Sequence, residues 1–190
     1  MKPRVRNIIL LIIISFLSKP AYSQTAEESY RALKRIHSGI QTGIFYRDYL
    51  NVVAEARTKV ELFLESSESK KQPEIAESIY RILWHYDNAV KVWGIQFEQK
   101  GKYAEFIKRD SDMGKTIDKN YPEYVQFANE VIESHKGKTK KAEQLYKDFY
   151  KKYYLITSIL KYGIWPKASE ELKNLSPYLQ YLKTLNTPPG

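Results

Sequence analysis

The sequence predicts an all-α protein, a single-domain helical bundle of about five to six helices with an N-terminal antiparallel helical hairpin. Most apolar residues recur every three or four positions, as on the buried face of an amphipathic helix. No segment alternates apolar and polar residues over four or more positions with β-branched enrichment, so no strand is predicted. No unit of 20 to 50 residues repeats, which argues against a solenoid. These three observations favour one packed bundle.

Residues 1–23 have the three parts of a secretory signal peptide. Basic residues without an acid occupy 1–7, a largely apolar run follows over 8–17, and Ala21-Tyr22-Ser23 supplies the small residues of a cleavage site. The apolar run has about half of the roughly 20 residues that span a bilayer as a helix, so a cleaved signal is favoured over a membrane anchor. We therefore expect residues 24–190 to form the mature α-helical domain, exported to the periplasm or outside the cell, with no transmembrane segment.

The first predicted helix begins after Thr25, which forms a capping-box pattern with Glu28. Helical apolar spacing continues over 33–63, so one long helix is predicted there. Gly39 and Gly43 lie inside it, and each costs a helix about 1 kcal/mol relative to alanine. We expect the close approach of a neighbouring helix, a kink between two halves of this helix, or a groove that exposes backbone to a ligand.

Pro73 suits the first turn of the second predicted helix, which continues through Trp93. Because the polar connector 66–72 is short, the first two helices should pack antiparallel as a hairpin. The apolar pattern weakens over 101–120. This segment is therefore predicted to be irregular.

The C-terminal half is predicted to contain the remaining helices. Pro122 opens a third helix that stops before Lys136, and a fourth runs over 139–162. Trp165-Pro166 begins a further helix, and Ser176-Pro177 caps a last short one.

Several chemistries are excluded or unsupported by the sequence. The chain has no cysteine, which removes disulfides, thiolate metal sites and a cysteine nucleophile. The three histidines lie in distant segments and show none of the helical spacings of metal sites. Counting a calcium loop from Asp110 puts Gly114 and Tyr121 at positions that require other residues. No phosphate-binding glycine motif is present. We therefore expect no metal and no cofactor.

The formal net charge of +9 overstates how basic the mature chain is. Residues 1–23 hold four basic residues and no acid, so 27 basic and 22 acidic side chains remain, a net charge of +5. The excess lies in residues 135–190, which hold 11 basic and 4 acidic side chains. A polyanionic partner suits this region, but export separates it from intracellular nucleic acid, so we expect no nucleic-acid partner.

The predicted helix 139–162 is both basic and amphipathic. At about 100° per residue, its apolar residues share one face and several lysines share the other. Two interpretations remain open, a core-packed helix with a solvated back or a surface that binds an anionic group with aromatic support. For the second, the candidate binding residues are Lys140, Lys147, Lys151, Tyr150 and Tyr154.

The leading functional hypothesis is a non-enzymatic exported protein that binds a partner in the cell envelope, either an envelope protein or an anionic glycan. No catalytic residue is assigned. One alternative is a small secreted hydrolase with a site around His37 or His85 and an acid such as Asp87 or Asp110. This requires a histidine within hydrogen-bond reach of both a carboxylate and a hydroxyl in one cleft. The other alternative is a purely structural helical protein without a concave aromatic pocket.

Four groups of residues carry a family resemblance. They are residues 30–36 with Gly43, Tyr46 and Tyr49; Tyr86, Ala89 and Trp93; residues 110–117; and Ile164-Trp165 with Ala168 and Leu172. Together they cover roughly half of the mature chain, and they resemble a group of exported, helical bacterial proteins of uncharacterised function. The basic segment 121–162 departs from the pattern of that group. The resemblance implies a helical fold and export, but no reaction.

Overall fold

A computed structural model describes residues 25–98, 105–134 and 140–186, so the predicted signal peptide lies outside the described residues. Apart from one two-stranded sheet, the described chain is helical, which confirms the predicted all-α class. A π-helical turn over Leu160–Ile164 joins the last two helices. In chain order the other elements are α1 (Ala26–Gln41), α2 (Tyr46–Glu65), α3 (Ser67–Lys71), α4 (Pro73–Glu98), β1 (Phe106–Lys108), α5 (Asp112–Asn120), α6 (Pro122–Ser134), α7 (Lys140–Lys152), β2 (Tyr153–Leu155), α8 (Ile156–Ile159) and α9 (Trp165–Asn186).

The region predicted as one long first helix is two helices separated by a tight turn. At the end of α1, the Ile44 N–H donates to the Gly39 carbonyl (3.0 Å) and the Gly43 N–H donates to the Ile40 carbonyl (3.2 Å), which is a Schellman motif. Gly43 has a φ of 83°, in the left-handed region that favours glycine. A Cβ at position 39 would lie 2.9 Å from Cδ1 of Ile44, so Gly39 makes room for that side chain. The two glycines therefore end a helix, and the prediction of a continuous helix was wrong.

The first three long helices pack as successive antiparallel neighbours. The Ser29 hydroxyl, near the start of α1, donates to the Lys59 carbonyl near the end of α2 (3.2 Å). The Tyr46 ring, at the start of α2, stacks on Phe97 at the end of α4, with ring centroids 4.7 Å apart. The predicted hairpin across residues 66–72 thus corresponds to α2 and α4, joined by the short α3.

The segment predicted to be irregular contains a strand and a helix. β1 pairs antiparallel with β2, with Phe106 opposite Leu155. Ser111 then caps α5, because its hydroxyl accepts a hydrogen bond from the Gly114 N–H (3.1 Å). A Cβ at position 114 would lie 2.3 Å from the Lys108 carbonyl oxygen, so only glycine lets the helix start this close to the strand. The prediction that the chain contains no strand was wrong.

The C-terminal helices also divide differently from the prediction. The helix expected over 139–162 ends at Lys152, where β2 begins. From Ile156 the backbone stays helical to the end of α9, through a π-turn in which the Trp165 N–H donates to the Leu160 carbonyl. Pro177 lies inside α9 instead of starting a separate helix. The two predicted terminal helices are therefore one.

The core lies where α1, α2, α4 and α9 meet and continues along β2 and α8. Within the described ranges, no helix is long and apolar enough to cross a bilayer. Several of the largest fully buried side chains are tyrosines, and their rings pack in the core and do not form a binding surface. They are Tyr49, Tyr86, Tyr121, Tyr124 and Tyr154.

Candidate anion-binding site

The two-stranded sheet brings two pairs of basic residues together. Immediately after β1, the Arg109 N–H donates to the Lys152 carbonyl (2.9 Å). Lys108 and Arg109 therefore lie beside Lys151 and Lys152, although the two pairs are far apart in the sequence. A groove of about 350 Å³ lies here. We call it the basic groove, and its lining residues are Lys108, Arg109, Asp110, Lys151, Lys152 and Tyr153.

Arg109 is held in place from one side of the groove. Its guanidinium carbon lies 4.4 Å from the centroid of the Tyr154 ring, a cation–π contact. Its Nη2 lies 3.8 Å from the Asp118 Oδ1, which is within ion-pair range but too long for a hydrogen bond. Nε and Nη2 are buried and have no hydrogen-bond acceptor in the described structure. The guanidinium is thus oriented by the ring and the carboxylate, and these two nitrogens are covered by protein.

Tyr154 supports this arrangement from inside the protein. Its hydroxyl donates to the Asp118 carboxylate. Burial raises the pKa of Tyr154, and the contact with Asp118 raises it further, so the phenol stays protonated at physiological pH. The sequence suggested a solvent-facing contact on a helix. The structure places the ring in the core beneath Arg109, because successive side chains of β2 alternate between two faces.

The predicted lysines lie on one exposed face of α7. Lys140, Lys147 and Lys151 are all exposed, and their spacings of seven and four residues place them in one line along the helix. At 1.5 Å per residue the line is about 16 Å long and ends at the basic groove. The Tyr150 side chain lies outside what the structure describes. Of the five candidates, the structure brings Lys151 into the groove and Tyr154 beneath it.

Sequence reasoning missed Lys108, Arg109 and Lys152 as members of this site. Lys108-Arg109 stood in a segment predicted to be irregular, and three-residue strands are too short to show an alternating pattern. The only available signal was the occurrence of two adjacent basic pairs, which does not reveal that they meet.

His85 lies in a separate polar cluster within the core. Its Nδ1 is 3.0 Å from the Tyr121 hydroxyl oxygen, and its Nε2 is 3.5 Å from the Glu171 Oε1. The Asn88 side-chain amide also donates to the Tyr121 hydroxyl (3.2 Å). His85 is 5% exposed and Tyr121 is 1% exposed. A histidine therefore does meet a carboxylate and a hydroxyl, but burial separates that hydroxyl from any substrate.

The Glu171 carboxylate in this cluster is surrounded by nitrogen atoms. Burial tends to raise the pKa of Glu171, but the hydrogen bond to His85 and the charges of Arg81 and Lys167 outweigh it and lower the pKa. The Arg81 Nε lies 3.6 Å from Glu171 Oε2. Glu171 is therefore ionised at neutral pH.

The other residues named for a hydrolase lie apart from this cluster. Asp87 forms an ion pair with Arg57 (2.7 Å), and Asp110 lines the basic groove. His37 lies on α1, where burial and then the charges of two lysines lower its pKa. The structure thus places neither Asp87 nor Asp110 beside His85.

The described residues contain no group of three or more histidine, aspartate or glutamate side chains that could hold a metal ion. No protein-family model, curated protein or solved structure matches the chain. The family resemblance in the sequence therefore stays an expectation.

Proposed function

We propose that the protein is a non-enzymatic exported helical protein that binds an anionic glycan of the cell envelope through the basic groove. One observation carries this proposal. Lys108, Arg109, Lys151 and Lys152 surround a single groove in which Asp110 is the one lining acid. An anionic ligand in the groove lies close to all four cations at once, so their attractions add.

The charge balance of the groove favours the binding of an external anion. Lys108, Lys151 and Lys152 form no ion pair with a residue in the described part of the chain. The charges of these three lysines repel one another, and a bound anion relieves that repulsion. The lysine side chains are exposed, so they can reach a ligand without rearrangement of the core.

The extent of the basic surface favours a polymer over a single small anion. The groove continues into the line of Lys140, Lys147 and Lys151, about 16 Å along α7. A linear glycan with charges at regular intervals can contact both parts. An acidic envelope protein is the other partner that this surface suits, and the experiment below separates the two.

Binding to polyanionic glycans tests the proposal. Purified protein is titrated with heparin and with polygalacturonate, and neutral dextran serves as the uncharged control. In Lys108→Gln/Lys151→Gln, the loss of two exposed cation contacts should raise Kd roughly 2- to 30-fold. The slope of log K against log salt should fall by about two, because fewer counterions are released.

The matched control is Lys70→Gln/Lys71→Gln, which removes two exposed lysines at the end of α3. Its Kd should stay within about twofold of the unchanged protein. Equal weakening in both variants would mean that net charge, and not the groove, determines binding. Absence of binding to both glycans, with crosslinking of a protein from envelope extracts, would replace the glycan with a protein partner.

A further inference from the structure

The outer face of the two-stranded sheet carries an aromatic side chain beside a lysine of the basic groove. Successive side chains of a strand alternate between two faces, so Phe106 and Lys108 lie on one face of β1 while Ile107 is buried on the other. Tyr153 lies directly opposite Lys108 in the antiparallel pairing, which places its side chain on the same outer face. Phe106 is 40% exposed, so this face is open to solvent.

Three aromatic rings meet on this face, and we call them the aromatic platform: Phe106, Phe149 and Tyr153. The centroids of the Phe106 and Phe149 rings are 4.8 Å apart, and those of Phe149 and Tyr153 are 5.6 Å apart. The Phe106 ring is thus held by neighbouring rings while part of it stays accessible. Tyr153 also lines the basic groove, so the platform and the groove form one continuous surface.

The combination of an accessible ring with a lysine suits an acidic sugar. An inorganic polyanion gains nothing from Phe106, whereas the C–H groups of a sugar ring can pack on it and leave water. Lys108 follows Phe106 by two residues, so their Cα atoms are about 7 Å apart along the strand. The exposed lysine side chain can therefore reach an acid group on the same sugar whose ring packs on Phe106.

Three acidic residues border this surface and oppose an anion. Asp110 lines the groove but comes after β1 has ended. Glu105 directly precedes Phe106, so strand alternation directs its side chain to the opposite side. Asp148 is exposed on α7 and accepts a hydrogen bond from the Gln144 amide (3.0 Å). These acids weaken the attraction for an anion, and we therefore expect the aromatic contact to contribute a substantial part of the binding.

We propose that the aromatic platform and Lys108 together recognise one uronic acid unit, with its ring packed on Phe106 and its carboxylate beside Lys108. The inference rests on the proposed function, because it names the ligand class of the same groove: a glycan of acidic sugars and not any polyanion. A membrane surface is less favoured, since Phe106 lies within a strand and is held by Phe149, whereas a residue that enters lipid has to project from the surface.

Calorimetric titration at one fixed salt concentration tests this with tetragalacturonate and with inorganic tripolyphosphate, which is similarly charged but has no C–H surface. Phe106→Leu keeps the apolar bulk and removes the ring, so it should raise the Kd for tetragalacturonate roughly two- to twelvefold. The Kd for tripolyphosphate should stay within about twofold, which also shows that the groove has kept its fold. Lys108→Gln should weaken both ligands roughly two- to fivefold.

Tyr178→Ala is the control, because Tyr178 is a 63% exposed aromatic residue that does not line the groove. It should leave both affinities unchanged. If Phe106→Leu changed neither Kd, or changed both equally, this inference would be wrong while the groove would remain an anion site. Failure of the unchanged protein to bind either ligand would contradict the proposed function as well. Binding to phosphatidylglycerol vesicles without binding to tetragalacturonate would replace the sugar with a lipid surface.

Discussion

Replacing Tyr121 with phenylalanine should destabilise the protein strongly, although it removes a single oxygen atom. In the donor assignment that satisfies each group once, the Asn88 amide donates to the Tyr121 oxygen and the Tyr121 hydroxyl donates to Nδ1 of His85. The Nε2–H of His85 then faces Glu171. The Tyr121 hydroxyl is the middle member of this chain, and it is buried.

The expected cost follows from the partners that lose it. Tyr121→Phe leaves Nδ1 of His85 and one N–H of Asn88 buried without a hydrogen bond. Each unsatisfied buried group costs about 1–3 kcal/mol, and the more apolar ring recovers part of this, so we expect a net loss of about 2–4 kcal/mol in the free energy of unfolding.

Urea denaturation followed by circular dichroism measures this loss, provided that the slope of the transition is unchanged. Tyr80→Phe is the control, since Tyr80 is 53% exposed and its change should stay within about 0.5 kcal/mol. Asn88→Leu combined with Tyr121→Phe should cost less than the sum of the two single changes, because they share one hydrogen bond. A loss below about 0.5 kcal/mol for Tyr121→Phe would refute the proposed chain of hydrogen bonds.

Two further predictions concern the turn after α1 and the charge on Glu171. Gly43→Ala should lower the free energy of unfolding by about 1–2 kcal/mol, because the backbone there has a φ of 83° and no neighbouring atom lies within 4 Å to add a clash. Gly39→Ala, measured alongside by thermal unfolding, should cost less, since the gain in helix propensity offsets the shift of Ile44; equal losses would contradict this account. Glu171→Gln should destabilise the protein by about 1 kcal/mol near neutral pH, and the difference should disappear in acid. Because the folded pKa of Glu171 is lowered, its stabilisation is complete above the ordinary value of 4.5 and is lost as pH falls through the folded pKa; a difference that persisted to pH 2 would contradict this.

The helical class was predictable because long amphipathic segments repeat their apolar residues with a clear period. The same signal hid the break after α1, since the apolar spacing stays in phase on both sides of Gly43. Gly39 and Gly43 are compatible with a kink inside one helix and also with the end of a helix. Only the backbone conformation distinguishes them.

The candidate site was predictable only in part, since its members meet through long-range pairing. The lysine face of α7 follows from helical spacing alone, and Lys140, Lys147 and Lys151 are exposed along it. The approach of Arg109 depends on β1, whose three residues show no period. Once the helix ends at Lys152, helical projection no longer applies, so the direction of Tyr154 could not be predicted.

The order in which the chain is made has a consequence for α9. This last helix packs against α4 and α1, buries Ala168 and Leu172, and supplies Glu171 to the cluster around His85. Until residues 165–186 have been synthesised and can fold, the earlier helices lack one wall of their core. Their apolar faces then stay open to water and to other chains. A premature stop codon before Trp165 would therefore yield an aggregation-prone fragment.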